Sequence, residues 1–129
     1  MSRRKQIQQE SEEFLKQATQ NNNVHIAKFM GATICELGEV FDLEIESNGT
    51  FVNHLEYHKN WKWAMSVVEK IRLMKYEIKI EMEYDAVQVT IKHPTNRIRY
   101  VVNERAYTPI NAINKALVEF INYYNDEVI

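Results

Sequence analysis

The sequence has little that staples or breaks a chain: one cysteine, two prolines and three glycines. A lone cysteine excludes an intrachain disulfide, and the burial habit of free thiols makes Cys35 an expected buried residue, with an intermolecular bridge as the alternative. An excess of charge is missing too. Sixteen Lys and Arg against eighteen Asp and Glu leave a formal net charge of −2, which argues against general electrostatic attachment to nucleic acid or to an anionic membrane. Apolar runs extend only a few residues and the first residues are polar and charged, so neither a transmembrane helix nor a signal peptide is expected and the chain reads as cytosolic. Phosphate-cradling glycine loops, nucleophile–base pairs, zinc-spaced Cys/His sets and basic–aromatic RNA motifs are all lacking. What remains legible is mainly architecture.

A hydrophobic fraction of 45% with 26% charged residues suits a globular domain of ordinary size. Ser2 to Gln20 reads as a helix with a thin apolar stripe of Ile7, Phe14, Leu15 and Ala18. Asn21 to Asn23 predicts a break, with Asn23 capping a short second helix that ends at Gly31. A helical extension over 1–22 and a sandwich domain over 23–129 are therefore expected. Thr33 to Leu37 and Phe41 to Glu46 read as strands, the second with Phe41, Leu43 and Ile45 on its inner side.

The segment from Tyr57 to Tyr76 carries two tryptophans and a helix-period stripe, with Asn60 as its cap. Trp61, Met65, Val68 and Ile71 form the expected core face, with Trp61 and Met65 deepest. Beyond Lys75 the period falls to two. Three strands follow through Tyr76–Tyr84, Val87–Ile91 and Ile98–Val102, joined by short turns as an antiparallel meander. Thr108-Pro109 then starts a last amphipathic helix running to about Asp126. The predicted fold is α+β: an antiparallel sheet packed by two amphipathic helices, with the N-terminal helix available to cover the other face in an α/β/α sandwich.

Chemistry is thinner. His54 and His58 stand four apart, but they precede the Asn60 cap, where a helix is not expected, and no third ligand adjoins them, so no metal site is assigned. Asp42, Glu44 and Glu46 share a strand face and offer a divalent-cation site, against the plainer reading of a solvated strand. The net-positive stretch is Lys92 to Arg105. Within it Arg97 and Arg99 would point the same way from a strand and, with Lys92 and Tyr100, form the expected anion-binding site; salt bridges to neighbouring strands are the plainer alternative. Arg3-Arg4-Lys5 is too small a cluster to imply nucleic acid, and Glu10, Glu12 and Glu13 follow it directly.

Three segments carry a family resemblance: IAKFMG at Ile26 to Gly31, YHKNWKWAMSVVEKI at Tyr57 to Ile71, and INAINKALVEFINYYN at Ile110 to Asn125. In that order they resemble the small bacteriophage and prophage proteins with a phage ABA-sandwich domain. The shared residues are packing residues, and the helix from Ser2 to Gln20 precedes the usual opening of the family. The resemblance implies a phage or prophage origin, a location in the host cytoplasm and a layered helix–sheet–helix fold; it brings no catalytic residues.

The expectation that follows is a non-enzymatic accessory protein without a cofactor. Its partner would be a host or phage protein with an acidic surface, or an anionic small ligand, in a host-interaction or anti-defence role. One alternative is a metal-dependent enzyme on a nucleotide or phosphate ester, using Asp42, Glu44 and Glu46. Another is a structural homo-oligomer built through the N-terminal helix and complementary charged strands.

Overall fold

Caps and turns written into the sequence set most element boundaries. The computed structural model describes residues 3–41, 50–96 and 99–128. Its order is α1 (Arg3–Phe29), β1 (Thr33–Ile34), β2 (Glu39–Phe41), β3 (Thr50–Phe51), a 3-10 turn (Val52–His54), α2 (Trp61–Leu73), β4 (Glu77–Met82), β5 (Val87–Lys92), β6 (Tyr100–Ala106) and α3 (Pro109–Glu127). Asn60 caps α2, its Oδ1 accepting from the amides of Lys62 at 3.0 Å and Trp63 at 3.4 Å. Thr108 caps α3 through Asn111 N–H, with Pro109 opening the helix.

The fold is α+β. A three-stranded antiparallel sheet has the order β4-β5-β6, and a smaller one the order β1-β2-β3. The larger sheet turns Ile78, Ile80, Val89, Ile91 and Val102 into one core with α2 and α3. Its opposite face carries Lys79, Glu81, Gln88, Asn103 and Arg105. α1 belongs to the helical layer, packing on α3, the 3-10 turn and β1.

The expected break at Asn21 to Asn23 does not occur; α1 is continuous through it. Asn23 is no cap. Its side chain is buried within the helix and donates from Nδ2 to the Leu55 carbonyl at 3.0 Å, with His58 Nδ1 at 2.8 Å. Tertiary hydrogen bonds thus outweigh the weak helix preference of three asparagines. The ending at Gly31 does hold. Gly31 has φ of 97°, and Ala32 N–H reaches back to Ala27 O while Gly31 N–H meets Lys28 O, the paired bonds of a Schellman ending. From Glu12 to Gln17 every residue is exposed, Phe14 by 73% and Leu15 by 64%, so this stretch of the helix adds no core.

The core face of α2 is turned from the expected one. Trp63, Ala64, Val67 and Ile71 are buried, whereas Trp61 is 45% exposed and Met65 and Val68 only border the core. Both stripes obey helical spacing. The cap decides between them, because Trp61 falls at the first helical position while Trp63 meets the buried Tyr57 edge-on at 5.0 Å. In β2, Val40 is buried and Phe41 is 47% exposed, the reverse of the expected parity; the rest of that predicted strand, including Leu43 and Ile45, lies outside the described residues. Cys35 is partly exposed in the β1–β2 connection, and thus not the buried thiol expected.

Two measurements test this packing. Trp63→Ala is expected to cost ~3–5 kcal/mol, the range for a large aromatic lost from a core, and Trp61→Ala only about 1 kcal/mol by chemical denaturation. Equal losses would refute the assigned face. Lys75 follows α2 with φ of 77°, a conformation strained for a side chain. Lys75→Gly is accordingly expected to raise stability by ~0.5–1 kcal/mol, and a loss would show that the lysine's own contacts matter more.

Candidate functional site: a proton-sharing cleft beside the third helix

The predicted anion site is not assembled as expected. β6 begins at Tyr100, so Arg99 stands in the preceding loop, and Arg97 lies outside the described residues. Arg99 packs its guanidinium 5.8 Å over the Tyr123 ring and pairs with Glu127 at 3.4 Å, both on α3. Lys92 and Tyr100 face one another across the β5–β6 ladder, the ammonium 5.2 Å over the ring. A register shift at Ile91/Lys92 puts Tyr100 and Val102 on opposite faces, which strict alternation misses. These cations have partners on their own chain and do not converge.

The acidic strand face at Asp42, Glu44 and Glu46 lies outside the described residues. His54 and His58 diverge in their contacts: His54 meets the Phe51 ring edge-on at 6.0 Å, and His58 meets Asn23. Among the described residues no group of three His, Cys, Asp or Glu gathers in a way that could hold a metal.

A different cluster is built where α1, the loop before α2, β6 and α3 meet. It opens as a cleft of about 450 Å³ lined by Thr19, Asn22, His58, Glu104, Asn114 and Glu119 among others, with Val118 as its apolar contribution. Glu104 lies opposite Val89 in the ladder and so points to the helical side of the sheet. α3 brings Glu119 to it, and Lys115 lies 3.5 Å from the Glu104 carboxylate.

Two carboxyls held together cannot both ionise cheaply. The Glu119 carboxyl is pushed up to about 7, first by its hydrogen bond to Glu104, then by burial and by the Glu104 charge, with Lys115 pulling the other way. Glu119 therefore holds a proton toward Glu104 below about pH 7. His58 is held below the usual histidine range, chiefly by burial and next by Lys59. With the Asn23 amide donating to Nδ1, the His58 ring is neutral and carries its proton on Nε2. Asn114 adds an amide nitrogen that is buried without a hydrogen-bond partner among the described residues.

Sequence reasoning missed this site because its parts come from four separate segments of the chain, around Thr19, His58, Glu104 and Glu119, and none belongs to a short motif. One signal was present: Glu104 falls on the inward parity of β6, an odd place for a carboxylate beside Val102. Comparisons with protein-family models, with curated proteins and with solved structures find no match.

The sign of the pH dependence follows. A carboxyl whose folded pKa is raised above its unfolded value contributes stability that is complete below the unfolded value of ~4.3 and is lost as pH rises through the folded one, here about 7. Melting temperature is expected to fall between about pH 5 and about pH 8, and Glu119→Gln, which keeps a donor toward Glu104 but does not titrate, should flatten that fall. Identical declines in the two proteins would place the titration elsewhere.

Proposed function

We propose that this protein acts by binding, and that the cleft between α1, β6 and α3 takes a neutral small ligand rich in hydroxyl groups. The observation that carries this reading is the lining itself. Amides, a hydroxyl and a carboxyl pair with one proton supply donors and acceptors side by side, while the lining contains no Phe, Tyr or Trp and its one ring is the His58 imidazole, held by Asn23. Below about pH 7 the charge of Lys115 offsets that of the singly protonated pair. A polyol or sugar exchanges its hydration for such groups at little electrostatic cost, and the buried Asn114 Nδ2, unpartnered among the described residues, gains an acceptor.

The resemblance to phage ABA-sandwich proteins supports an accessory role for this binding in a phage or prophage, within host-interaction or defence-countering functions. No helix of the described residues is long and apolar enough to cross a membrane.

Titration with neutral mono- and oligosaccharides, followed by backbone NMR, tests the reading. Shifts are expected at Asn22, Glu104, Asn114 and Glu119, and Asn114→Ala should weaken binding about tenfold, equivalent to ~1.4 kcal/mol. Saturable binding of a polyamine in place of sugars would convert the site to a cation site. Turnover of a bound sugar would make the carboxyl pair an acid–base catalyst.

A further inference from the structure

At the C-terminal end of α1 a second cavity, about 410 Å³, is lined by His25, Lys28, Phe29, Lys70, Met74 and, from α3, Tyr124 and Asn125. No carboxylate lines it, and its two lysines have no ion-pair partner among the described residues. The nearest acid in sequence to Lys70, Glu69, is held by Arg72 at 2.5 Å.

The plain role for lysines beside a helix C-terminus is to satisfy its free carbonyls. That role is nearly filled here by other groups. Ile26 O accepts from Met30 N, Ala27 O from Ala32 N, and Lys28 O from Gly31 N, which leaves Phe29 O for the Lys70 ammonium. An ammonium has three N–H donors, so Lys70 keeps donors in reserve while lying 4.5 Å from the centre of the Phe29 ring. Lys28 is exposed at the rim with no carbonyl of this turn left to serve. His25 contributes an Nε2 that is buried and has no hydrogen-bond partner among the described residues.

We propose that this pocket binds a small organic anion: a carboxylate or phosphate group carried on an apolar body. Lys28, the spare donors of Lys70 and the Asn125 amide face the anionic group. Phe29, Met74 and Tyr124 supply the apolar wall, and His25 Nε2 becomes a further donor in the tautomer that places its proton there. Such a division, few polar groups on a mostly apolar lining, is that of a ligand pocket of ordinary size. The site stands apart from the Arg99 region and from the cleft around Glu104, and it does not depend on either.

Inorganic phosphate, benzoate and phenyl phosphate titrated into the full chain distinguish the possibilities, with backbone NMR as readout. The two aryl anions are expected to bind more tightly than inorganic phosphate, to shift His25, Lys28, Lys70 and Asn125, and to weaken with added salt; their ranking separates carboxylate from phosphate. Lys28→Gln should weaken both by about tenfold or more, Lys28→Arg should retain them, and Lys16→Gln, on the exposed part of α1, should change nothing. The proposal is overturned if Lys28→Gln binds as the wild type does, if the shifts fall on Lys92 and Arg99, or if neither aryl anion binds by about 10 mM, well beyond the ~1 mM that marks weak ligand affinity.

Discussion

Phe120 is the contact on which the arrangement depends. Its side chain is fully buried, meeting Tyr76 at the head of β4 edge-on at 4.8 Å and Phe29 of α1 edge-on at 6.1 Å, with Tyr124 stacked beside it at 6.1 Å. One ring on α3 thereby fixes α1 and the start of the meander together. Aromatic pairs add about 0.5–1.5 kcal/mol each beyond the area they bury, but the structural consequence is alignment. With α3 anchored by Phe120, and by Ile113, Leu117 and Ile121 against the sheet, its remaining faces have fixed directions. The turn carrying Lys115 and Glu119 lies over Glu104, and the turn carrying Tyr124 and Asn125 lies beside the end of α1.

The junction between α1 and the loop before α2 shows what this alignment demands. Asn23 is 2% exposed and Tyr57 fully buried; the Asn23 amide nitrogen has two acceptors, while Asn23 Oδ1 and the Tyr57 hydroxyl have no partner among the described residues. Burial drives the Tyr57 hydroxyl far above its ordinary range, so the phenol is neutral at all physiological pH. Each unpartnered group costs on the order of 1–3 kcal/mol. The offsetting terms are the packing of Tyr57 on Trp63 and the ordering of His58 by Asn23. A helix broken at Asn21 to Asn23 would lose the second.

Much of this was legible in the chain. Asn60, Thr108-Pro109 and Gly31 mark their elements because each signal acts within one or two turns of the residue that bears it. The meander was readable because its alternation is long. Sequence reasoning failed wherever two local readings were equally periodic and a distant contact chose between them: Trp63 over Trp61, Asn23 as an interior residue over a cap, Tyr100 turned by a bulge. It failed for the site for the same reason. Glu104 and Glu119 become a proton-sharing pair only because α3 folds back on β6, and nothing in the spacing of His58, Glu104 and Glu119 announces it. The anion-binding expectation rested on local charge density, and the structure spends Arg99 on Glu127 and Tyr123.

The cleft and the pocket share the same two helices. Thr19 and Asn22 of α1 line the cleft and His25, Lys28 and Phe29 the pocket; on α3 the order repeats, Asn114 to Asn122 for the cleft and then Tyr124 and Asn125. The two helices thus pass from one cavity to the other in the same sense. Glu119 and Asn125 are six residues apart, about 9 Å along the axis, beyond a Debye length of ~8 Å at physiological ionic strength. Lys28 stands on α1 and Lys70 on α2, so α3 brings only Tyr124 and Asn125 to the pocket and keeps the charges of Lys115 and Glu119 at the cleft. The two cavities therefore share a scaffold and not a charge: by fixing the direction of α3, Phe120 decides where each lining stands.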